Sequence, residues 1–152
     1  MILLDNSGFN EILNKISELK KKLAEIRKEK GNAYQDDSNT WHDNYAYEFA
    51  NYRELDILDQ IEELYKTYES AILVERGHDC NVCDIGDQFN IRFFNDVGYE
   101  DELYTLVAKN LNIGSAEISI NSPIGNAVYL KEYGSEINFI SNGNKVHIKI
   151  FK

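Results

Sequence analysis

The sequence predicts an α+β protein in which a two-helix finger precedes a small antiparallel sheet. From Ser7 to about Ser70, apolar residues recur in steps of three and four, which is the period of an amphipathic helix. After Cys83 they alternate with polar residues, which is the period of a half-buried strand. The only proline, Pro123, lies far downstream, so no helix-breaking residue interrupts the first half.

Composition narrows the class of protein. The 152 residues are 43% hydrophobic, enough to form a real core, and carry a net charge of −10. That charge argues against free binding to nucleic acid, because neutralising phosphates requires clustered lysine and arginine. We find no signal peptide and no apolar run that could span a bilayer, so a cytoplasmic protein without membrane contact is expected.

The first helix is predicted to begin after Asn6 and Ser7, either of which can cap its free N–H groups. A coiled-coil seam then follows in alternating steps of three and four. Its members are Phe9, Ile12, Ile16, Leu19, Leu23 and Ile26. The basic residues between them are most simply a solvated coiled-coil face with ion pairs between the helices.

The second helix returns after a polar turn at 36–40, with a predicted seam of Leu58, Ile61, Tyr65, Tyr68 and Ile72. Its early aromatic residues are most simply interpreted as packing within the finger; they are Tyr45, Tyr47, Phe49 and Tyr52. Two such helices form an antiparallel hairpin. About 28 residues per arm, at the helical rise of 1.5 Å, gives a finger roughly 40 Å long.

The second half is predicted to contain short strands and one short helix. Ser122 can cap that helix, with Pro123 in its first turn. Asn142-Gly143 between two alternating segments is a strong hairpin signal. The strands are expected at 88–94, 103–108, 116–120, 136–141 and 145–151.

We therefore assign residues 1–75 to a coiled-coil finger with an acidic tip near 36–48, and residues 76–152 to a second domain. Val74 to Asp84 marks the boundary, because glycine and polar residues interrupt both periods there.

Several segments, in order and with compatible spacing, resemble the GreA/GreB family of transcript-cleavage factors. The stretch from Ala116 to Val128 resembles that family's I-S-x-x-S-P-hydrophobic-G/A-x-A-L segment, and 131–137 resembles the K-K-x-G-D-x-V that follows it. Asp43-Asn44-Tyr45-Ala46-Tyr47 resembles the motif at the tip of the finger. The resemblance spans nearly the whole chain.

The resemblance implies an FKBP-like second domain that docks at the secondary channel of RNA polymerase. The docking residues it implies are Ser122, Pro123, Ile124 and Gly125. The finger would reach the polymerase active centre and the RNA 3′ end. Asp43 would help to hold a magnesium ion shared with the polymerase, which itself cleaves backtracked RNA. The chain would then be a monomer without catalytic activity or a stably bound cofactor of its own.

The tip departs from the family pattern at one position. The family reads G-D-x-x-E-N, whereas this chain has Asn39-Thr40-Trp41-His42-Asp43-Asn44. Asp43 takes the place of the second acid, but neutral Thr40 takes that of the first, and magnesium prefers charged oxygen ligands. Asp37 is the candidate for the missing carboxylate. Thr40 makes a channel-occupying regulator without cleavage activity the alternative function.

Other interpretations remain beside this one. His78, Cys80 and Cys83 form H-x-C-x-x-C, but a structural zinc site needs four ligands and the sequence has no second Cys/His pair, so inert thiols are favoured. A coiled-coil adaptor that never binds polymerase, and a prolyl isomerase, are the rivals from other classes.

Overall fold

The computed structural model describes residues 2–36, 45–77 and 79–152. The chain forms two compact units, one of residues Asn10–Ser70 and one of Met1–Phe9 together with Ala71–Lys152. Residues 1–9 and 71–75, which the sequence analysis places with the finger, belong to the second unit.

The first unit is built from two long helices, α1 (Asn6–Asp36) and α2 (Tyr45–Ser70). Cross-helix contacts show that they run antiparallel, because partners further along α1 lie earlier in α2. Lys20 Nζ donates to Tyr65 Oη at 2.8 Å, and Arg27 Nε donates to Glu54 Oε1 at 2.7 Å. The predicted helical hairpin is thereby confirmed.

The seam predicted for α1 is confirmed. Phe9 is half-buried, and the other five members are buried: Ile12, Ile16, Leu19, Leu23 and Ile26. The helix begins differently from the prediction, since Asn6 already lies in α1 and the capping side chain is Asp5. Its Oδ1 accepts from Gly8 N at 2.7 Å, which satisfies an N–H group of the first turn.

The seam predicted for α2 is confirmed only in part: Ile61 is buried and Tyr68 is half-buried, but the other three predicted members are not in the seam. Leu58 and Tyr65 are each 37% exposed, and Ile72 lies in a strand beyond the end of the helix. The least exposed residues of α2 follow a different series of three- and four-residue steps. This series includes the small Ala50 and the charged Glu54. That inner seam comprises Tyr47, Ala50, Glu54, Ile57, Ile61, Leu64 and Tyr68.

The second unit begins with a two-stranded parallel pair that the sequence analysis missed. β1 (Leu3–Leu4) pairs with β2 (Ile72–Leu73), with Leu3 opposite Ile72 and Leu4 opposite Leu73. Two-residue strands are too short to show a period in the sequence. The pair joins the start of the chain to the segment that follows α2.

The main sheet has five strands in the order β5-β4-β3-β7-β6. Their bounds are β3 (Gln88–Asn95), β4 (Gly98–Val107), β5 (Glu117–Ser119), β6 (Glu136–Ser141) and β7 (Asn144–Phe151). The α+β class is confirmed, but the sheet is mixed where an antiparallel one was predicted, because β5 runs parallel to β4. The other pairings are antiparallel.

One face of this sheet forms the core of the unit. β3 contributes Phe89 and Ile91, and β7 contributes Ile148 and Ile150, all with no exposed surface. The short helix α3 (Pro123–Val128) contributes Val128 to the same core. Asn142 and Gly143 both have positive φ, 50° and 81°, as the predicted two-residue hairpin turn requires.

Among the described residues, no helix combines the length and apolar character needed to cross a membrane.

Candidate functional site

The tip of the finger lies outside the described residues. This applies to Asp37 and Asp43, the candidate acids, and to Thr40, which stands where the related family has its first acid. Their assignment to a magnesium site therefore stays a prediction. The structure describes what adjoins the tip on both sides, namely α1 up to Asp36 and α2 from Tyr45 onwards.

A polar cluster joins the two helices close to the tip. Glu54 accepts from Arg27 Nε at 2.7 Å with one carboxylate oxygen and from Lys30 Nζ at 2.8 Å with the other. Lys30 Nζ also donates to Asn51 Oδ1 at 2.6 Å and lies 5.2 Å from the centre of the Tyr47 ring. One lysine thus contacts three successive turns of α2.

The environment of Glu54 favours its charged form. Its side chain is only 13% exposed, although it occupies the inner seam. The hydrogen bond from Lys30, followed by that from Arg27, holds the pKa of Glu54 below its ordinary value of 4.5. A charged residue in an otherwise apolar seam is satisfied only when its partners lie opposite, so this cluster fixes the register of the helices.

The early aromatic residues of α2 divide into two groups. Tyr47 packs within the finger as predicted, with its ring centre 6.2 Å from that of Tyr34. The packing interpretation is wrong for the other three, because Tyr45, Phe49 and Tyr52 are 76%, 52% and 70% exposed. With 3.6 residues per turn, steps of four and three place them on one line, opposite the inner seam.

The Ser-Pro segment of the second unit forms the predicted short helix. Ser122 Oγ accepts from Gly125 N at 3.0 Å and donates to the Ser119 carbonyl at 2.7 Å. Pro123 occupies the first turn, where a missing N–H group has no cost. Gly125 is buried against β5, and a Cβ there would lie 1.9 Å from the Ser119 carbonyl oxygen. Ser122 and Gly125 therefore fix the local fold.

The exposed surface of this segment differs from the set that the resemblance implies. Ile124 packs partly into the core, so of the four candidate docking residues only Pro123 is exposed. Asn126 of α3 and Leu130, two residues beyond the end of the helix, are also exposed, and the sequence analysis named neither. Leu130 has φ of 57°, which costs a leucine about 1–2 kcal/mol, yet it is 53% exposed.

Asn121 ties this segment to the start of the chain. Its Oδ1 accepts from Leu3 N at 2.8 Å, and its Nδ2 donates to the Leu3 carbonyl at 2.7 Å. Nδ2 also donates to Asn110 Oδ1 at 2.8 Å. The backbone N–H and carbonyl groups of Leu3 are thus both satisfied by the Asn121 side-chain amide. Because Asn121 lies between β5 and α3, this contact holds β1 next to the Ser-Pro segment.

A second polar network, also missed by sequence reasoning, is centred on the segment that precedes β3. Asp84 and Asp87 are 2% and 6% exposed. Asp87 accepts from Tyr133 Oη at 2.9 Å and pairs with Arg76, whereas Asp84 accepts from Gly77 N at 2.5 Å. Burial, and then the bond to Asp87, raise the pKa of Tyr133. Both buried carboxylates thus have hydrogen-bonding partners. The turn sequence Asp84-Ile85-Gly86-Asp87 was the signal that could have revealed this network.

The two cysteines do not share an environment. Cys83 is buried, and desolvation raises the pKa of its thiol to about 12, whereas Cys80 is exposed. Within the described ranges no cluster of histidine, cysteine and acidic side chains could hold a metal ion. His78, the remaining member of the H-x-C-x-x-C motif, is outside those ranges.

The chain was compared with known proteins. No family profile matches it, and no curated protein matches it. Among solved structures it is similar to the GreA factor homolog Gfh1 of Thermus thermophilus, with 18% identity, a TM-score of 0.45, and coverage of 99% of this chain and 97% of that one. Gfh1 of Thermus aquaticus gives 18% identity, a TM-score of 0.43, and coverage of 99% and 96%.

A third similar structure is the prokaryotic transcription elongation factor GreA/GreB from Nitrosomonas europaea. It is 23% identical with a TM-score of 0.37, and the match covers 66% of this chain and 88% of that one. These three solved structures are named for Gfh1, a GreA homolog, and for GreA/GreB.

Proposed function

We propose that this chain is a Gre-like transcription factor that binds bacterial RNA polymerase at its secondary channel and presents Asp43 near the polymerase active centre. The observation that carries the proposal is the order of family-like segments along the chain. The tip motif ends in Tyr47, on the inner seam of the finger, and the Ser-Pro segment forms a rigid corner at α3.

The construction of the finger supports this role. A protein that reaches into a channel needs a narrow element whose end is held in a fixed register. The cluster of Glu54, Lys30 and Arg27 joins α1 to α2 within about three turns of the tip. The register of the two helices in this half of the finger is therefore set by partly buried ion pairs in addition to apolar packing.

The donor set at the tip fits a shared metal only in part. Asp43 offers one carboxylate, Thr40 adds no charge, and Asp37 is the candidate for the second acid. Magnesium binds through one or two carboxylates while keeping several waters. When bound, it would stabilise the attacking and leaving oxygens of phosphodiester cleavage. The chain's own contribution would be to position Asp43 and, by filling the channel, to exclude other molecules.

The second candidate function is that of a channel-occupying regulator that does not stimulate cleavage. The observation that favours it is Thr40, which replaces the first acid of the family's tip with a neutral hydroxyl. Both functions require the same docking and differ only in what the tip does.

Binding to the polymerase is tested first by retention of the full chain on purified core RNA polymerase, with free GreA as competitor. We expect the chain to be retained and GreA to displace it, because both would occupy one channel. Retention without displacement would place it at another site, and no retention would favour a coiled-coil adaptor. Slowed RNA synthesis without cleavage would identify the regulator.

A further inference from the structure

The outward side of α2 carries a line of exposed side chains that the finger does not use for its own packing. Its members follow in steps of four and three, which keeps them on one side of the helix. This outer stripe consists of Tyr45, Phe49, Tyr52, Asp56, Asp59 and Glu63, all exposed. It is aromatic in its half nearer the tip and acidic in the other.

The aromatic half is unusual for a solvated surface. Tyr45 and Phe49 lie nearly parallel, with ring centres 6.1 Å apart and planes inclined by 12°, and Tyr52 follows at 70% exposure. Two of the three exposed rings thus contact each other, and the third lies one turn further along the same side of α2. Exposed apolar patches in soluble proteins mark interaction sites. They lie opposite the inner seam, away from the apolar packing between the two helices.

The charges around the rings indicate what they would bind. α2 contains seven acidic residues and two basic ones, and three of the acids continue the outer stripe itself. This negative field repels phosphate groups, so it disfavours the stacking of RNA bases on the rings. It attracts cations, and aromatic faces bind guanidinium and ammonium groups through cation–π contacts.

The structure already contains one such contact. The Arg53 guanidinium lies 5.8 Å from the centre of the Phe49 ring, held there by a 2.8 Å ion pair between Arg53 and Glu29 of α1. The Phe49 ring therefore already has a cation beside it, whereas the rings of Tyr45 and Tyr52 are exposed.

From this arrangement we propose that the outer stripe of α2 is a docking surface for a basic protein segment, whose arginine or lysine side chains lie across the three rings and pair with Asp56 and Asp59. Resting on the proposed function, this segment is a basic part of the polymerase wall that faces the inserted finger. The stripe would add affinity to docking by α3 and orient the finger about its own axis.

The first test measures the affinity of the full chain for core RNA polymerase. The triple variant Tyr45→Ala, Phe49→Ala, Tyr52→Ala should bind at least about tenfold more weakly, and Asp56→Asn with Asp59→Asn should weaken binding by less. Leu55→Ala is the matched control, because Leu55 is 51% exposed on α2 but lies off the stripe. Circular dichroism verifies that each variant keeps its helices. Equal binding by wild type and triple variant would overturn the inference and leave the proposed function intact.

The second test does not depend on the polymerase. The ring resonances of Tyr45, Phe49 and Tyr52 are followed by NMR during titration with a tetra-arginine peptide, a tetra-glutamate peptide or a uridine tetranucleotide. We expect shifts with tetra-arginine alone, and their loss in the triple variant. If the chain fails to bind polymerase but these shifts occur, the proposed function fails and the basic-segment surface stands. Shifts with the oligonucleotide instead, or with none of the probes, would overturn the surface.

Discussion

Lys30 Nζ lies 2.8 Å from Glu54 Oε2, within the line of side chains that joins α1 to α2. The Glu54 carboxylate is only 13% exposed there. A buried ion pair adds little net stability compared with apolar packing, but an unpaired buried charge is costly. The pair therefore disfavours every helix register other than the one in which Lys30 and Glu54 meet.

Glu54→Gln should make the finger less stable at neutral pH and alter its response to acid. The pKa of Glu54 is lowered in the folded chain, so its carboxylate contributes stability that is present above pH 4.5, its ordinary value, and is lost as the pH falls through the folded-state pKa. The difference in urea midpoint between wild type and variant should narrow below pH 4.5. Glu69→Gln, an exposed glutamate of the same helix, controls for the loss of one charge. A constant difference across this range would contradict the ion-pair assignment.

Gly125→Ala should destabilise the second unit by about 1–3 kcal/mol. The added methyl group would lie 1.9 Å from the Ser119 carbonyl oxygen. Because this oxygen belongs to the backbone, it cannot move aside as a flexible side chain could. Gly31→Ala is the control, since Gly31 lies in α1 and, apart from its neighbours and the backbone of its own helix, nothing lies within 4 Å of the added carbon. This variant should gain about 0.5–1 kcal/mol of stability. Denaturant unfolding measures both. If Gly125→Ala left the free energy of unfolding unchanged, α3 would pack less tightly on β5 than this distance requires.

The two thiols should react at very different rates with a thiol reagent such as Ellman's. Cys80 is exposed, whereas Cys83 is buried with a pKa of about 12, so little of the reactive thiolate forms there at pH 8. We expect one fast equivalent in the native chain and two after denaturation. Cys80→Ser should abolish the fast phase. Two fast equivalents in the native chain would contradict the buried placement of Cys83.

Leu130→Asn should weaken polymerase binding without loss of stability. Asparagine adopts positive φ more readily than leucine, so the fold should be unchanged or gain up to about 1 kcal/mol. The exposed apolar side chain that follows α3 would nevertheless be lost. Thermal unfolding and retention on core polymerase measure the two effects. Unchanged binding would remove Leu130 from the docking surface.

Sequence reasoning succeeded where one pattern dominated. The seam of α1 is apolar at every predicted position, so its phase was unambiguous, and Asn142-Gly143 admits few structures other than a tight hairpin. The seam of α2 was predicted only in part, because Glu54 and Ala50 do not resemble seam residues, while exposed Leu58 and Tyr65 do.

Pairings between distant segments could not be predicted. The parallel register of β4 with β5, and that of β1 with β2, depend on contacts that leave no local period. The same applies to the exposed surface around α3, because burial of Ile124 and exposure of Leu130 follow from how this segment packs on the sheet. The acidic tip was identified by resemblance alone, and Asp37 and Asp43 lie outside the described residues.

The most direct test of the account is RNA cleavage in purified backtracked elongation complexes, with wild-type chain and Asp43→Asn compared at equal occupancy. If the chain is a Gre-like cleavage factor, wild type accelerates cleavage and Asp43→Asn binds equally well but loses most of that acceleration. If neither protein accelerates cleavage but both bind and slow RNA synthesis, the chain is a channel-occupying regulator and not a cleavage factor. Failure of the wild-type chain to bind or alter the complex would contradict the central claim.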